Sequence, residues 1–315
     1  MNNGDRPRPN ILFAIADDAS HMGAYGHEFL STPHFDRVAA EGVLFTHAYT
    51  TNPKCAPSRA SILTGRHTWQ LEEASCHFGV FPAKFAVYPS LLEATGYHVG
   101  HTGKGWAPGD YEAGGFTRNP AGPDYHGARL DPPTTRISAK DYAGNFDRFL
   151  DERPADSPFC FWYGGHEPHR AYEEGSGVRA GKNTADITPP AYLPDDEIVR
   201  SDLLDYAFEI EWFDTHLGRM LAKLEEIGEL DDTLIVVTSD NGMPFPRVKG
   251  QMYEADFNMP FAVRWGHGVD GGRVVTDFVS FRDIAPTFVE AAGLAPPESI
   301  TGRSFLDVVT SSDDG

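Results

Sequence analysis

The sequence is poor in cysteine and lysine and carries no long apolar run. Its three cysteines, Cys55, Cys76 and Cys160, are odd in number and form no C-x-x-C pair. That pattern argues against a disulfide framework and against a structural zinc cluster. No stretch approaches the roughly 18 apolar residues of a membrane span, and the start MNNGDRPRPN lacks an apolar signal core. As written, the chain is expected to be cytoplasmic, or exported if a leader has been lost, with no membrane partner. Positive charge is also scarce, 26 basic against 46 acidic residues, for a formal net charge of −20. Such a field repels polyanions and argues against a nucleic-acid partner. Only seven of the basic residues are lysines, so the places where lysines fall stand out.

Hydrophobic residues at 40% and charged residues at 23% over 315 positions describe an ordinary globular chain, long enough for one large α/β domain. Short apolar runs at 10–16, 159–163, 233–238 and 261–265 read as buried strands, and 97–102 as a strand leading into Gly103-Lys104-Gly105. Helical spacing falls between them: at 35–45 with a break at Gly42, at 58–63 after Pro57, and at 91–94, 141–151 and 283–292. Leu203, Tyr206, Ile210, Phe213, Leu217, Met220, Leu224 and Ile227 alternate steps of three and four, which predicts one long amphipathic helix lying on a sheet. Residues 105–136 and 171–196 have no sustained period and read as irregular excursions of the kind that carry function. The expected fold is α/β, with a mostly parallel central sheet and helices on both faces. One domain over 9–306 is expected between flexible ends at 1–8 and 307–315.

Four polar clusters follow apolar strands: Asp17-Asp18, Lys104, residues 166–169 and Asp240-Asn241. Ligands of open parallel sheets bind at the carboxyl ends of the strands, so the four clusters can converge on one site. Asp17, Asp18, Asp240 and Asn241 form an all-oxygen set suited to Ca2+ or Mg2+ rather than zinc. Taken separately, Asp17-Asp18 also reads as a helix cap and 239–242 as a turn. Cys76 and Cys160 read as small buried hydrophobes. Cys55 differs, because it stands just before a helix start, where the dipole favours an anion, with Arg59 one turn further on.

The segment CAPSRASILTGR at 55–66 resembles the signature of the type I sulfatases, of the alkaline-phosphatase-like superfamily. Other motifs stand in that family's order: Asp17-Asp18 followed by GAYG at 23–26, TGK at 102–104 and TSDNG at 238–242. The likeness runs from about residue 9 to 305. HEPHR at 166–170 and DNGMPFP at 240–246 are most similar to the heparan N-sulfatase, or sulfamidase, branch. The resemblance implies one Ca2+ held by Asp17, Asp18, Asp240 and Asn241. It implies that a formylglycine-generating enzyme oxidises Cys55 to formylglycine, which is then the nucleophile and a further metal ligand. Arg59, Lys104, His169 and Lys249 would surround the sulfate of a sulfated carbohydrate, an N-sulfate or a sulfate ester. One hydroxyl of the hydrated aldehyde, activated by the metal and a carboxylate such as Asp240, would attack sulfur. His169 would protonate the leaving group, and sulfate would depart as the aldehyde re-forms. Lys249 matches only through a loop and reads equally as a solvated surface lysine.

Two departures accompany the likeness. Many relatives have histidine two residues after the Gly-Lys lysine, where this chain has Trp106, so one donor on the sulfate side is missing or supplied elsewhere. The chain also stops near 301–304, where relatives continue into an antiparallel C-terminal subdomain expected to be missing here. A phosphonate or phosphate ester hydrolase of the same superfamily, and a truncated non-catalytic glycan-binding protein, are the alternative readings. Nothing in the sequence speaks to oligomeric state.

Overall fold

The run Asn10–Ala16 is strand β1, and all seven of its residues are buried. Its side chains divide between two cores, Ile11, Phe13 and Ile15 on one face and Leu12, Ala14 and Ala16 on the other. A strand apolar on both faces needs cover on both sides, which is the condition of a parallel sheet inside an α/β protein. The computed structural model describes residues 8–312. Elements after β1 follow in the order α1 (Pro33–Ala40), β2 (Val43–Phe45), β3 (Ala48–Tyr49), α2 (Cys55–Thr64), α3 (Tyr88–Glu93), β4 (His98–Gly103), α4 (Tyr142–Asp151) and β5 (Phe159–Gly164). Then come α5 (Ser176–Arg179), α6 (Glu197–Glu226), β6 (Thr233–Ser239), α7 (Glu254–Phe257), β7 (Phe261–Arg264), β8 (Arg273–Val275), β9 (Val279–Ser280), α8 (Ile284–Ala291) and α9 (Leu306–Thr310).

The main sheet has seven strands in the order β4-β5-β1-β6-β7-β2-β8. β4, β5, β1 and β6 pair in parallel, β7 runs antiparallel to both its neighbours, and β8 pairs in parallel with β2. The expected mostly parallel sheet with helices on both faces is therefore present. α2, α3, α8 and α9 pack on one face, and α1, α4 and α6 on the other. Because β4, β5, β1 and β6 are consecutive and point the same way, their carboxyl ends open side by side.

α6 carries the long apolar stripe and begins six residues before it. Asp196 caps it by accepting from Val199 N at 2.9 Å. At 30 residues it is about 45 Å long. The short helix expected from Phe35 with a break at Gly42 is α1, which ends at Ala40, because Gly42 passes so close to β7 that a Cβ there would lie 2.0 Å from Val263 O. The chain turns at that point and enters the sheet as β2. α2 starts at Cys55 rather than after Pro57, since a proline in the first turn removes an N–H that has no intrahelical partner anyway.

Cys160 is buried in β5 as expected, but Cys76 is exposed, on a turn that no apolar element covers. Residues 105–136 contain no helix and no ladder strand. Within 171–196, α5 is tied to α6 by Gly175 N and Gly177 N, each 2.8 Å from Asp205 carboxylate oxygens. Residues 307–312, expected as part of a flexible end, include most of α9, whose Val309 is fully buried. Residues 1–7 and 313–315, the rest of the expected flexible ends, lie outside the described residues. None of the described helices is long and apolar enough to cross a membrane.

Candidate active site

Each polar cluster stands where a strand stops. β1 ends in Asp17 and Asp18, and β6 in Asp240 and Asn241; these four side chains are at most 1% exposed. Asp18 takes φ +76°, a left-handed conformation that costs a non-glycine residue about 1–3 kcal/mol. It is held there by its own N–H, which donates to Asp240 Oδ1 at 3.1 Å. β4 ends at Gly103, also left-handed at φ +76°, where a Cβ would lie 1.9 Å from Gly164 O. That close approach lets Lys104 N donate to Gly164 O at 2.7 Å, and the lysine side chain turns toward β1.

α2 enters the same place from the other side, and all ten of its residues are buried. Cys55, its first residue, has Sγ 3.8 Å from Asp18 Oδ1 and 3.5 Å from Lys249 Nζ. Arg59, one turn on and fully buried, donates Nε to Asp240 Oδ2 at 2.7 Å and Nη1 to Lys104 O at 2.6 Å. Lys104 Nζ lies 2.6 Å from Asp17 Oδ2, and Lys249 Nζ 2.6 Å from Asp18 Oδ2. His169 stands at the mouth, 43% exposed, with Nε2 3.8 Å from Asp18 Oδ2. The structure thus brings all nine of the expected residues together, including Lys249, which pairs with a buried carboxylate instead of facing solvent.

Electrostatics follow from that crowding. Burial alone would raise Asp17, but Lys104 and Arg59 outweigh it and hold the carboxyl well below its ordinary range. Burial and the neighbouring Asp17 raise Asp18, and burial pushes Asp240 up to about 6 against the pull of Arg59. Burial, with Asp17 and Asp240 beside it, lifts the Cys55 thiol well above its usual value, so the unmodified side chain is a poor nucleophile. Among the described residues, Asp17 Oδ1 and Asn241 Oδ1 are buried acceptors with no hydrogen-bond donor. Arg59 Nη2, also buried without a hydrogen-bond partner, stands 3.8 Å from Asp17 Oδ1. Orphaned acceptors in such a cluster fit an oxygen-seeking cation, and the carboxylate and amide ligands match calcium better than a soft metal.

The site opens into a cavity of about 790 Å3, whose lining includes Asp17, His77, Lys104, Lys140, His166 and His169. That volume is within the usual range for small-molecule sites. Another cavity, about 730 Å3, lies at the opposite ends of the strands around Pro9, Asn10 and Glu229, and none of the motif residues reaches it. Trp106 is buried, with its indole N–H on Ala56 O at 2.9 Å, so it braces α2 and offers the cavity nothing. The GAYG turn is structural too: Ala24 N donates to Asp36 and Tyr25 Oη to Phe45 O. Sequence reasoning missed His77 and Lys140. His77 Nδ1 is buried without a partner among the described residues, and burial with Lys249 and Lys54 nearby pushes the ring down to about 4. No spacing rule marks either residue, because both come from irregular segments.

A model of the sulfatase family matches residues 9–294. The chain is 31% identical to human N-sulphoglucosamine sulphohydrolase, an alignment that takes in 96% of this chain and 66% of that protein. It is 29% identical to an ulvan-active sulfatase from Formosa agariphila, over 95% of this chain and 54% of the relative. The chain therefore spans about half to two thirds of the length of these relatives. A solved protein in complex with its substrate D-glucosamine-2-N,6-O-disulfate superposes with a TM-score of 0.77 at 24% identity, over 97% of this chain and 81% of the other.

Proposed function

Because the chain belongs to the sulfatase family, we propose that it hydrolyses an N-sulfate or a sulfate ester of a carbohydrate, with Cys55, oxidised to formylglycine by a formylglycine-generating enzyme, as nucleophile. The observation that carries this reading is the convergence of Asp17, Asp18, Asp240 and Asn241, two of them with orphaned oxygens, around a buried Cys55 flanked by three cations. When bound, one Ca2+ held by those four residues would offset the charge of the sulfate, and the hydrated aldehyde would supply the attacking hydroxyl.

The chain's own groups account for the rest. Lys249 reaches both Asp18 and the Cys55 side chain, which keeps a positive charge beside the attacking atom. Lys104 lines the cavity and can take a sulfate oxygen without leaving Asp17. Arg59 is locked by Asp240 and by two carbonyls, those of Lys104 and Gly105. It fixes the distance between α2 and the end of β4 and adds a permanent charge behind the sulfate. His169 Nδ1 is engaged with Arg170 O at 2.6 Å, and since a carbonyl only accepts, Nδ1 carries a proton. Nε2 faces the site and, once protonated, can deliver that proton to the departing nitrogen or oxygen.

The name of the human relative favours the N-sulfate as the first substrate to try. Turnover of N-sulfoglucosamine, glucosamine 6-O-sulfate and a phosphonate monoester on one calcium-loaded preparation tests the reading, with Cys55→Ala as control. N-sulfate turnover that vanishes in the variant, together with an intact-mass change confined to Cys55, is the expected result. Activity retained by Cys55→Ala, or preferential turnover of the phosphonate, would sink it.

A further inference from the structure

In a chain of net charge −20, most of the lysines find a carboxylate. Five of the seven lysines, Lys84, Lys104, Lys182, Lys223 and Lys249, each pair with one. Lys140 does not. It is half-buried in the cavity wall, and its Nζ lies 3.1 Å from His166 Nε2. An ammonium has no lone pair, so the imidazole nitrogen accepts there and His166 is neutral. Burial, with Lys140 next to it, pushes His166 down to about 3, in agreement with that assignment.

A neutral imidazole orients the ammonium but does not neutralise it. The nearest buried carboxyl is already used: Glu167 takes Ser138 N at 2.8 Å and Tyr142 Oη at 2.9 Å. Arg136, exposed on the same wall, is likewise without a carboxylate partner among the described residues. Glu167 and Asp124 act on Lys140 only from a distance, so two cations with no carboxylate in contact face a cavity that Lys104 and His169 enter at the metal-site end. Holding a half-buried ammonium without a counter-ion is unfavourable unless an anion arrives from outside.

We infer that Lys140, oriented by His166 and assisted by Arg136, binds a second anionic group of the substrate, a sulfate or a carboxylate on the same sugar or the adjoining one. This rests on the sulfated-carbohydrate reading above and narrows it to substrates that carry two anionic groups. A charge-assisted contact of this kind corresponds to a preference of about tenfold or more.

The test is equilibrium binding to the full calcium-loaded chain carrying Cys55→Ala, which cannot turn the ligand over. Three probes are titrated: glucosamine N-sulfate, glucosamine N,6-O-disulfate, and N-sulfoglucosamine linked to a uronic acid. At least one doubly charged probe should bind about tenfold tighter than the singly charged one. The probe that gains identifies the second group as sulfate or carboxylate. Lys140→Met should erase the difference, Lys140→Arg should keep most of it, and Arg136→Ala should reduce it. Equal affinity for all three probes, a loss in Lys140→Met that is the same for each, or no binding of any of them overturns the subsite. Turnover by the chain with Cys55 intact is read separately: no hydrolysis with the preference intact refutes the enzymatic reading and leaves the subsite standing.

Discussion

Glu209 permits a prediction whose size can be worked out. It sits on the buried side of α6 and lines the cavity, 2% exposed, with no hydrogen-bond donor among the described residues. Burial, then Glu167 and Asp205, push its carboxyl from 4.5 up to about 9. Between those values the folded chain keeps a proton that the unfolded chain has lost. Stability is therefore complete at acid pH and falls as pH rises, by about 1.4 kcal/mol per pH unit. From pH 4.5 to pH 7 the loss is about 3 kcal/mol, and it continues until the folded carboxyl ionises. Glu209→Gln preserves shape and removes the titration. Urea midpoints taken across this range should coincide near pH 4.5, separate by about 3 kcal/mol in favour of the variant at pH 7, and level off above pH 9. The same ionisation puts a negative charge in the wall proposed to receive an anionic substrate, so on that proposal KM of the unaltered chain should rise above pH 9 while that of the variant stays flat. A stability difference independent of pH would refute the linkage, because it would place the effect in packing.

Three further outcomes follow from the site. His169→Ala should lower kcat by about 10²–10⁴-fold for substrates with poor leaving groups and much less for good ones; a uniform loss would remove His169 as the proton donor. Chelation should lower the melting temperature and Ca2+ should restore it, by about 2.7 kcal/mol of stability at a hundredfold excess over Kd. A melting temperature indifferent to both treatments would speak against a cation between Asp17 and Asn241. Arg59→Met leaves Asp240 buried without its partner and should cost the metal-free chain about 3–5 kcal/mol in denaturant unfolding; a cost under 1 kcal/mol would show that Asp240 simply takes up a proton.

Much of this architecture was legible because β1, β5 and β6 are nearly continuous apolar runs closed by polar residues, with β4 a mixed strand leading into Gly103-Lys104, and a parallel sheet turns that one-dimensional pattern into a common edge. The long helix was legible for the same reason, its stripe being a local property of the chain. What escaped depends on contacts distant in sequence. β2 and β8 are three-residue strands that exist only because β7 draws the chain across at Gly42 and gives Val43–Phe45 a partner. Lys249 was ambiguous by spacing and is defined by Asp18, 231 residues away. Lys140 and His77 come from segments with no period, so only the folded cavity shows them facing it. Cys76 illustrates the opposite error: a residue type that is usually buried lies exposed where the local chain has nothing to bury it.

The encasement of α2 has a consequence in time rather than in space. Every residue from Cys55 to Thr64 is covered, and the thiol itself is fully buried. An enzyme acting on Cys55, as proposed, would need this stretch exposed, and the folded molecule keeps it covered. If Cys55 is oxidised as proposed, oxidation and collapse of the core would compete for each newly made chain, and a chain that folded first would keep its thiol. The active fraction of a preparation would then report the outcome of that race, rising with slower synthesis or more of the oxidising enzyme, and no treatment of the folded protein would recover the remainder.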